Sequence, residues 1–213
     1  SKIIFDVGKI FKIKNNDLMF LAASVEAIHA YSLIHDDLPC MDDDNLRRGK
    51  ASTHIKYGES TAILAGNSLL TTAFEILSDK SFKVEDKIKS NLIHLLSRCS
   101  GQIGIAGGQY LDLSYEKKKV PLKKILNMEL KKTGKLFEFC CVAPLIIKKN
   151  KKNLSSFSKL GRDVGLLFQI VDDLIDFKGK TKFAGKKTKK DSKRGKATII
   201  SLLGYENAVK YTH

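Results

Sequence analysis

Gly165-Leu166-Leu167-Phe168-Gln169-Ile170-Val171-Asp172-Asp173-Leu174-Ile175-Asp176 decides the fold class. Its apolar residues fall three and four apart, the period of a helix face, and the pattern extends from about Leu154 to Phe177. On such a helix Asp172 and Asp176 share one face, with Asp173 beside them, so their carboxylates can share cations. The same period recurs upstream. Asp17 can cap a helix through Leu18, Leu21, Ala22, Val25, Ile28 and Ser32. Gly58-Glu59 opens another to about Leu77, a third covers roughly Val84 to Ile105 and ends near Gly107-Gly108, and Pro121 suits the first position of a helix running past Leu136 to Pro144, where a kink is possible. Residues 178–196 hold ten Lys or Arg in nineteen positions and read as a loop, with a last helical start from about Thr198. With only three prolines and sparse turn clusters, the expected fold is all-α. At 213 residues one domain, 1–213, is the default.

The helix from Asp17 leads into a second acidic stretch, Asp36-Asp37-Leu38-Pro39-Cys40-Met41-Asp42. Asp36 and Asp42 lie about 240° apart on a straight helix and would diverge. Pro39 disfavours helical geometry at Leu38, which lets Asp36, Asp37 and Asp42 converge. Clustered carboxylates without a Cys or His partner pair are hard oxygen donors suited to Mg²⁺, which keeps waters and prefers phosphate as a co-ligand. A solvated helix end or a calcium loop would be the bland alternatives. The calcium loop fails, because counting from Asp42 its sixth position is Arg47 rather than Gly and its twelfth is Thr53 rather than Glu. His35, alone beside the motif, reads as a packing or hydrogen-bonding residue.

The net charge of +15 raises the question of a polyanionic partner. Yet eight of the 23 acidic residues crowd into 36–44 and 172–176, where like charges need a cation, while lysine is spread almost everywhere. That distribution favours an anionic small molecule at the acidic sites over nucleic acid. No stretch approaches the ~18 apolar residues of a spanning helix, and the first residues lack a signal-peptide pattern. A soluble protein without stable membrane insertion is expected. Cys40, Cys99, Cys140 and Cys141 show no C-x-x-C spacing and read as reduced thiols of a cytoplasm.

The stretch from His29 to Lys50, centred on Asp36-Asp37-Leu38-Pro39-Cys40-Met41-Asp42, resembles the first aspartate-rich motif of bacterial and plastid-type polyprenyl diphosphate synthases, and Gly165 to Asp176 resembles the second. Gly107-Gly108-Gln109-Tyr110-Leu111-Asp112-Leu113 and Lys132-Thr133-Gly134 are similar to further family motifs in order, so the resemblance spans the chain. It implies an isoprenoid-synthase-type antiparallel helical bundle around a central cavity, assembled as a homodimer in a bacterial cytoplasm or a plastid-type organelle. The implied reaction condenses isopentenyl diphosphate head to tail with an allylic diphosphate, and three Mg²⁺ between the facing aspartate sites would stabilise the departing pyrophosphate.

Carried over residue by residue, the resemblance makes Asp36, Asp42 and Asp172 metal ligands, with Asp37, Asp173 and Asp176 direct or supporting. Arg47, Lys132, Lys186 and Lys196 match contacts to the allylic diphosphate, although any single Lys in so lysine-rich a chain can be a surface residue. His29 and Arg48 match positions for isopentenyl diphosphate, His29 being equally readable as a core histidine. Thr133 and Gln169, with a main-chain carbonyl near Lys132, match groups facing the allylic cation, and pyrophosphate itself takes the final proton. Tyr31, about 7 Å along a helix from Asp36, and the adjacent Ser32 match the positions that set product length. An aromatic there, with two extra residues inside the first motif, resembles farnesyl diphosphate synthases, although Tyr31 can also be ordinary core.

The match departs from the family in two places. The family's Gly-Gly-Lys-x-x-Arg-Pro segment is absent, so the chain is expected to lack an N-terminal helix segment and C-terminal helices. Lys190 also replaces a glycine usual before Asp191. A geranylgeranyl or geranyl diphosphate synthase and a non-catalytic subunit of a heteromeric synthase remain as alternatives. A terpene cyclase would normally carry an Asn/Ser/Glu-type second site.

Overall fold

A computed structural model describes residues 1–178 and 195–210. Its helices are α1 (Lys2–Ile10), α2 (Asn15–Asp36), α3 (Thr53–Tyr57), α4 (Glu59–Ser78), α5 (Asp86–Ser100), α6 (Ile105–Tyr115), α7 (Leu122–Glu129), α8 (Lys135–Ile147), α9 (Leu154–Lys178), α10 (Ile199–Leu203) and α11 (Tyr205–Lys210). The all-α expectation holds. The sole strands among the described residues are Leu46–Arg47 (β1) and Lys50–Ala51 (β2), an antiparallel pair. Arg48 and Gly49 turn it, both at positive φ as a tight primed hairpin requires.

Two hydrophobic clusters organise the bundle. The larger joins α1, α2, α4, α5 and α8 around Leu21, Ile28, Leu92 and Phe139. The smaller joins α7, α9, α10 and α11 around Ile125, Met128 and Ile170. α2 packs along α4, and α8 along α9. Between α7 and α8 lies a π-helical turn, Leu130–Gly134, so the helix begun after Pro121 breaks there. The residue that a π turn inserts rotates the helix that follows. α7 thereby turns Ile125 and Met128 to the smaller core while α8 turns Phe139 to the larger. Pro144 sits inside α8 without ending it.

Several boundaries differ from the sequence reading. α2 starts at Asn15, and Asp17 makes no capping bond but lies in the first turn, where its charge still complements the helix dipole. The third helix stops at Ser100, and Gly107-Gly108 fall inside α6 instead of ending a helix. Their role is close approach: a Cβ on Gly108 would meet the Lys132 backbone. α1 was not anticipated; Ile4 and Val7 are buried on it, and Ile3 and Phe5 pack against the larger core. Thr198 caps α10 in a reciprocal bond pair with Ser201, as its helix-start reading implies. The loop expected over 178–196 lies almost wholly outside the described residues.

The expectation about membrane length needs correction. α2, with 22 residues and a mean hydropathy of 1.3 over its best window, is long and apolar enough to cross a membrane by length and composition. Here Leu18, Leu21, Val25 and Ile28 bury one of its faces in the larger core.

Candidate active site

The first acidic site is built where α2 ends. Asp36 is its last residue, and the chain then turns through the exposed Pro39. The Asp42 N–H donates to the Asp36 carbonyl at 2.8 Å and the Asp44 N–H to the Asp37 carbonyl at 3.1 Å. This fold-back sets Asp42 beside Asp36. Asp37 does not join them: its buried carboxylate accepts from Arg47 Nε at 3.0 Å and from a terminal guanidinium nitrogen of Arg47. Arg47, on β1, also pairs with Asp44 at 3.5 Å.

The second site is built on α9, held against the π turn by glycine. A Cβ on Gly165 would lie 2.6 Å from the Gly134 Cα, so position 165 has no room for a side chain. The approach brings Thr133 Oγ1 to 2.9 Å from Gln169 Oε1, to which it donates. Gln169 Nε2 in turn donates to Asp173 Oδ1 at 3.0 Å. Asp173 is therefore tethered behind the site rather than beside its neighbours.

A cavity of about 390 Å³ joins the two sites. Asp36, Asp42 and Asp44 line it from the α2 end and Asp172 and Asp176 from α9, with Arg47, Lys132 and Lys196 among them. Asp37 and Asp173 are not on its wall. The apolar part is formed by Ile105, Leu136, Phe137, Cys140 and Phe168, and the Phe137 and Phe168 rings stand 5.4 Å apart.

Charges of both signs set the protonation of the groups in this cavity. Burial pushes the Asp36 carboxyl up to about 6, against the pull of Lys132 and with the repulsion of Asp42. Burial would also raise Asp42, but Lys132 and Lys196 reverse it and hold that carboxyl low. Lys196 Nζ lies 3.0 Å from Asp42 Oδ1. For Lys132, burial would lower the ammonium, yet Asp112, Asp36 and Asp42 outweigh it and raise it. Among the described residues no three carboxylate, imidazole or thiolate groups converge into a ready-made metal cage. What the walls offer is hard oxygen donors on two sides, with the half-buried Asp36 carboxyl held high by burial and by Asp42, which suits an ion that completes its coordination with water and phosphate oxygen.

Comparison with known proteins places this geometry. The profile described as Polyprenyl synthetase matches residues 1–212. The chain belongs to the polyprenyl synthetase family. It is 43% identical to the farnesyl diphosphate synthase of Escherichia coli K12, over 98% of this chain and 71% of that protein. It is likewise 43% identical to the farnesyl diphosphate synthase of Micrococcus luteus, over 86% of this chain and 62% of that one. A geranyltransferase from Helicobacter pylori, solved with magnesium and isoprenyl diphosphate, superposes with a TM-score of 0.90 at 35% identity, over 99% of this chain and 71% of that chain. The chain thus spans 62% to 71% of the length of these three relatives. The fold is that of the isoprenoid synthases.

Within this polyprenyl synthetase fold the remaining expected residues separate. His29 lines the cavity, and its Nε2 lies 3.5 Å from an Arg48 guanidinium nitrogen, so these two come together. Burial lowers the His29 imidazole, with Glu26 opposing and Arg48 assisting. Ser32 is on the wall, but Tyr31 is not: it is buried in the larger core, its ring edge-on to His35 at 5.6 Å. Tyr31 turns away from the cavity that Ser32 lines because side chains one position apart on a helix face different ways. His35 is a packing and hydrogen-bonding residue, with Nε2 3.1 Å from the Ile63 carbonyl and its ring over Gly66. Lys186 lies outside the described residues. Sequence reasoning missed Asp44 and Asp112 as site residues. Asp44 was visible in the acidic run, and Asp112 lay in the Gly107–Leu113 stretch singled out by resemblance, but its contact with the two lysines appears only in the packing.

Proposed function

We propose that the full-length protein is a Mg²⁺-dependent prenyltransferase condensing isopentenyl diphosphate with dimethylallyl or geranyl diphosphate to give farnesyl diphosphate and pyrophosphate. The observation that carries this reading is one cavity with carboxylates on two walls, ammonium groups between them and an apolar pocket beyond. The names of the E. coli and M. luteus relatives support the same product.

Asp36, Asp42, Asp172 and Asp176 would hold magnesium, which when bound supplies Lewis-acid charge against the departing pyrophosphate. We take three ions per site, as the family resemblance implies, with Asp37 and Asp173 supporting from behind. Lys132 and Lys196 present full positive charge to the allylic diphosphate, Lys132 all the more securely for its raised ammonium. Arg47 orients the first acidic site through Asp37 and Asp44. Thr133 and Gln169 direct polar oxygens toward the carbon that becomes electron-deficient. The Phe137 and Phe168 rings on the cavity wall offer apolar faces to the hydrocarbon tail and to the cation. His29 and Arg48 take the isopentenyl diphosphate. The proton lost at the end goes to pyrophosphate, and no side chain is assigned as base.

Exposed Ile63 and Leu64 on α4 and Ile55 and Tyr57 on α3 support a homodimer, and the unpaired thiols a reducing cytoplasm. The test is turnover of the full-length protein with Mg²⁺, isopentenyl diphosphate and each of the C5, C10 and C15 allylic diphosphates, with product length read by chromatography. A C15 product is expected from the two shorter substrates. No turnover with any of them refutes the assignment.

A further inference from the structure

Asp112 belongs to neither acidic motif and is not on the cavity wall, yet it pairs with two of the cavity's cations. It lies on α6, buried, with Oδ2 2.6 Å from Lys132 Nζ and 3.3 Å from Lys196 Nζ. Those two ammonium groups reach it from opposite parts of the chain, the π turn and the segment before α10, and both line the cavity. Lys196 also pairs with Asp42 at 3.0 Å, so Asp112 is the carboxylate that the two ammonium groups share, offsetting their mutual repulsion. Gly108, one helical turn before Asp112 and on the same face of α6, brings the helix against the Lys132 backbone, so main chain and side chain of Lys132 are both set by α6.

We propose that Asp112 is a positioning residue for the diphosphate of the allylic substrate, acting through Lys132 and Lys196. It keeps both ammonium groups side by side and aimed into the cavity before substrate arrives, so that binding requires no rearrangement of either. This deepens the reading above and rests on it.

The test compares the full-length wild type with D112N and D112E, using titration of inorganic pyrophosphate in Mg²⁺ by calorimetry and steady-state kinetics. D112N is expected to weaken pyrophosphate and raise the KM for the allylic diphosphate by roughly ten- to a hundredfold, with the KM for isopentenyl diphosphate little changed. D112E restores part of that loss. Combined with K132M, D112N adds much less than it does alone, because its effect runs through the lysine. Should D112N fail to fold, the comparison of D112E with K132M/D112E carries the same coupling. Unchanged or tighter pyrophosphate binding in folded D112N overturns the proposal, as does full additivity with K132M. A wild type that binds pyrophosphate but turns over no allylic substrate would defeat the enzymatic reading while leaving the positioning test intact.

Discussion

Replacing Gly108 by alanine probes the packing on which the cationic wall depends. The added Cβ would lie 2.3 Å from the Lys132 nitrogen and 2.5 Å from its Cα, roughly 1 Å inside ordinary contact. Both are main-chain atoms of the π turn and cannot rotate aside, so α6 or the turn must translate. Overpacking of this kind costs about 1–3 kcal/mol, and a backbone clash belongs at the upper end. Alanine in place of glycine inside a helix offsets roughly 1 kcal/mol. The net destabilisation is about 2 kcal/mol, which for a chain of this length lowers Tm by roughly 4–8 °C. Thermal unfolding followed by circular dichroism measures this directly, and kinetics on the same sample should show a several-fold rise in the KM for the allylic diphosphate as Lys132 moves. A G108A protein as stable as wild type or more so, which helix propensity alone would produce, refutes the close approach.

Other consequences follow from the same contacts. Because burial raises the Asp36 carboxyl to about 6 from an unfolded value near 4, its contribution to stability is present at low pH and lost as pH rises through about 6. In chelator, D36N should therefore exceed wild type above pH 6 by on the order of 1–2 kcal/mol after screening by cavity water, and the two should converge near pH 4; equal urea midpoints at pH 7.5 would contradict this. Arg47→Lys replaces a two-nitrogen grip on buried Asp37 by a point charge and should lower stability by about 1–2 kcal/mol in urea titration, an unchanged midpoint counting against that grip. Gln169→Leu removes the acceptor of Thr133 and a donor to Asp173. It should reduce kcat roughly 10–100-fold with little change in the KM for isopentenyl diphosphate, and an undiminished kcat would exclude the relay.

The legible parts of the site were those written in short-range pattern. Asp172 and Asp176 are four residues apart on an unbroken helix, so their shared face follows from the helix period alone. Asp36 and Asp42 needed a break, and Pro39 signalled it. The resemblance also paired His29 with Arg48 and Thr133 with Gln169, and both pairs meet. Asp37, Asp173 and Tyr31 each kept two readings in the sequence, because the direction of a side chain at a helix end or beside a motif depends on what packs there. Arg47 captures the first, Gln169 the second, and the larger core the third.

By itself the sequence determined an all-helical fold and the two acidic sites, since apolar spacing and local charge density are properties of neighbouring residues. Tertiary structure decided which carboxylates face the cavity and which stand behind it. It also decided that α6, whose Gly107–Leu113 stretch was marked in sequence by resemblance alone, stands behind the two lysines. That contact joins residues 20 and 84 positions apart through Asp112. No periodicity encodes such a distance; for Lys132 it arises because glycines at 108 and 165 let α6 and α9 close on the π turn to within a few ångströms.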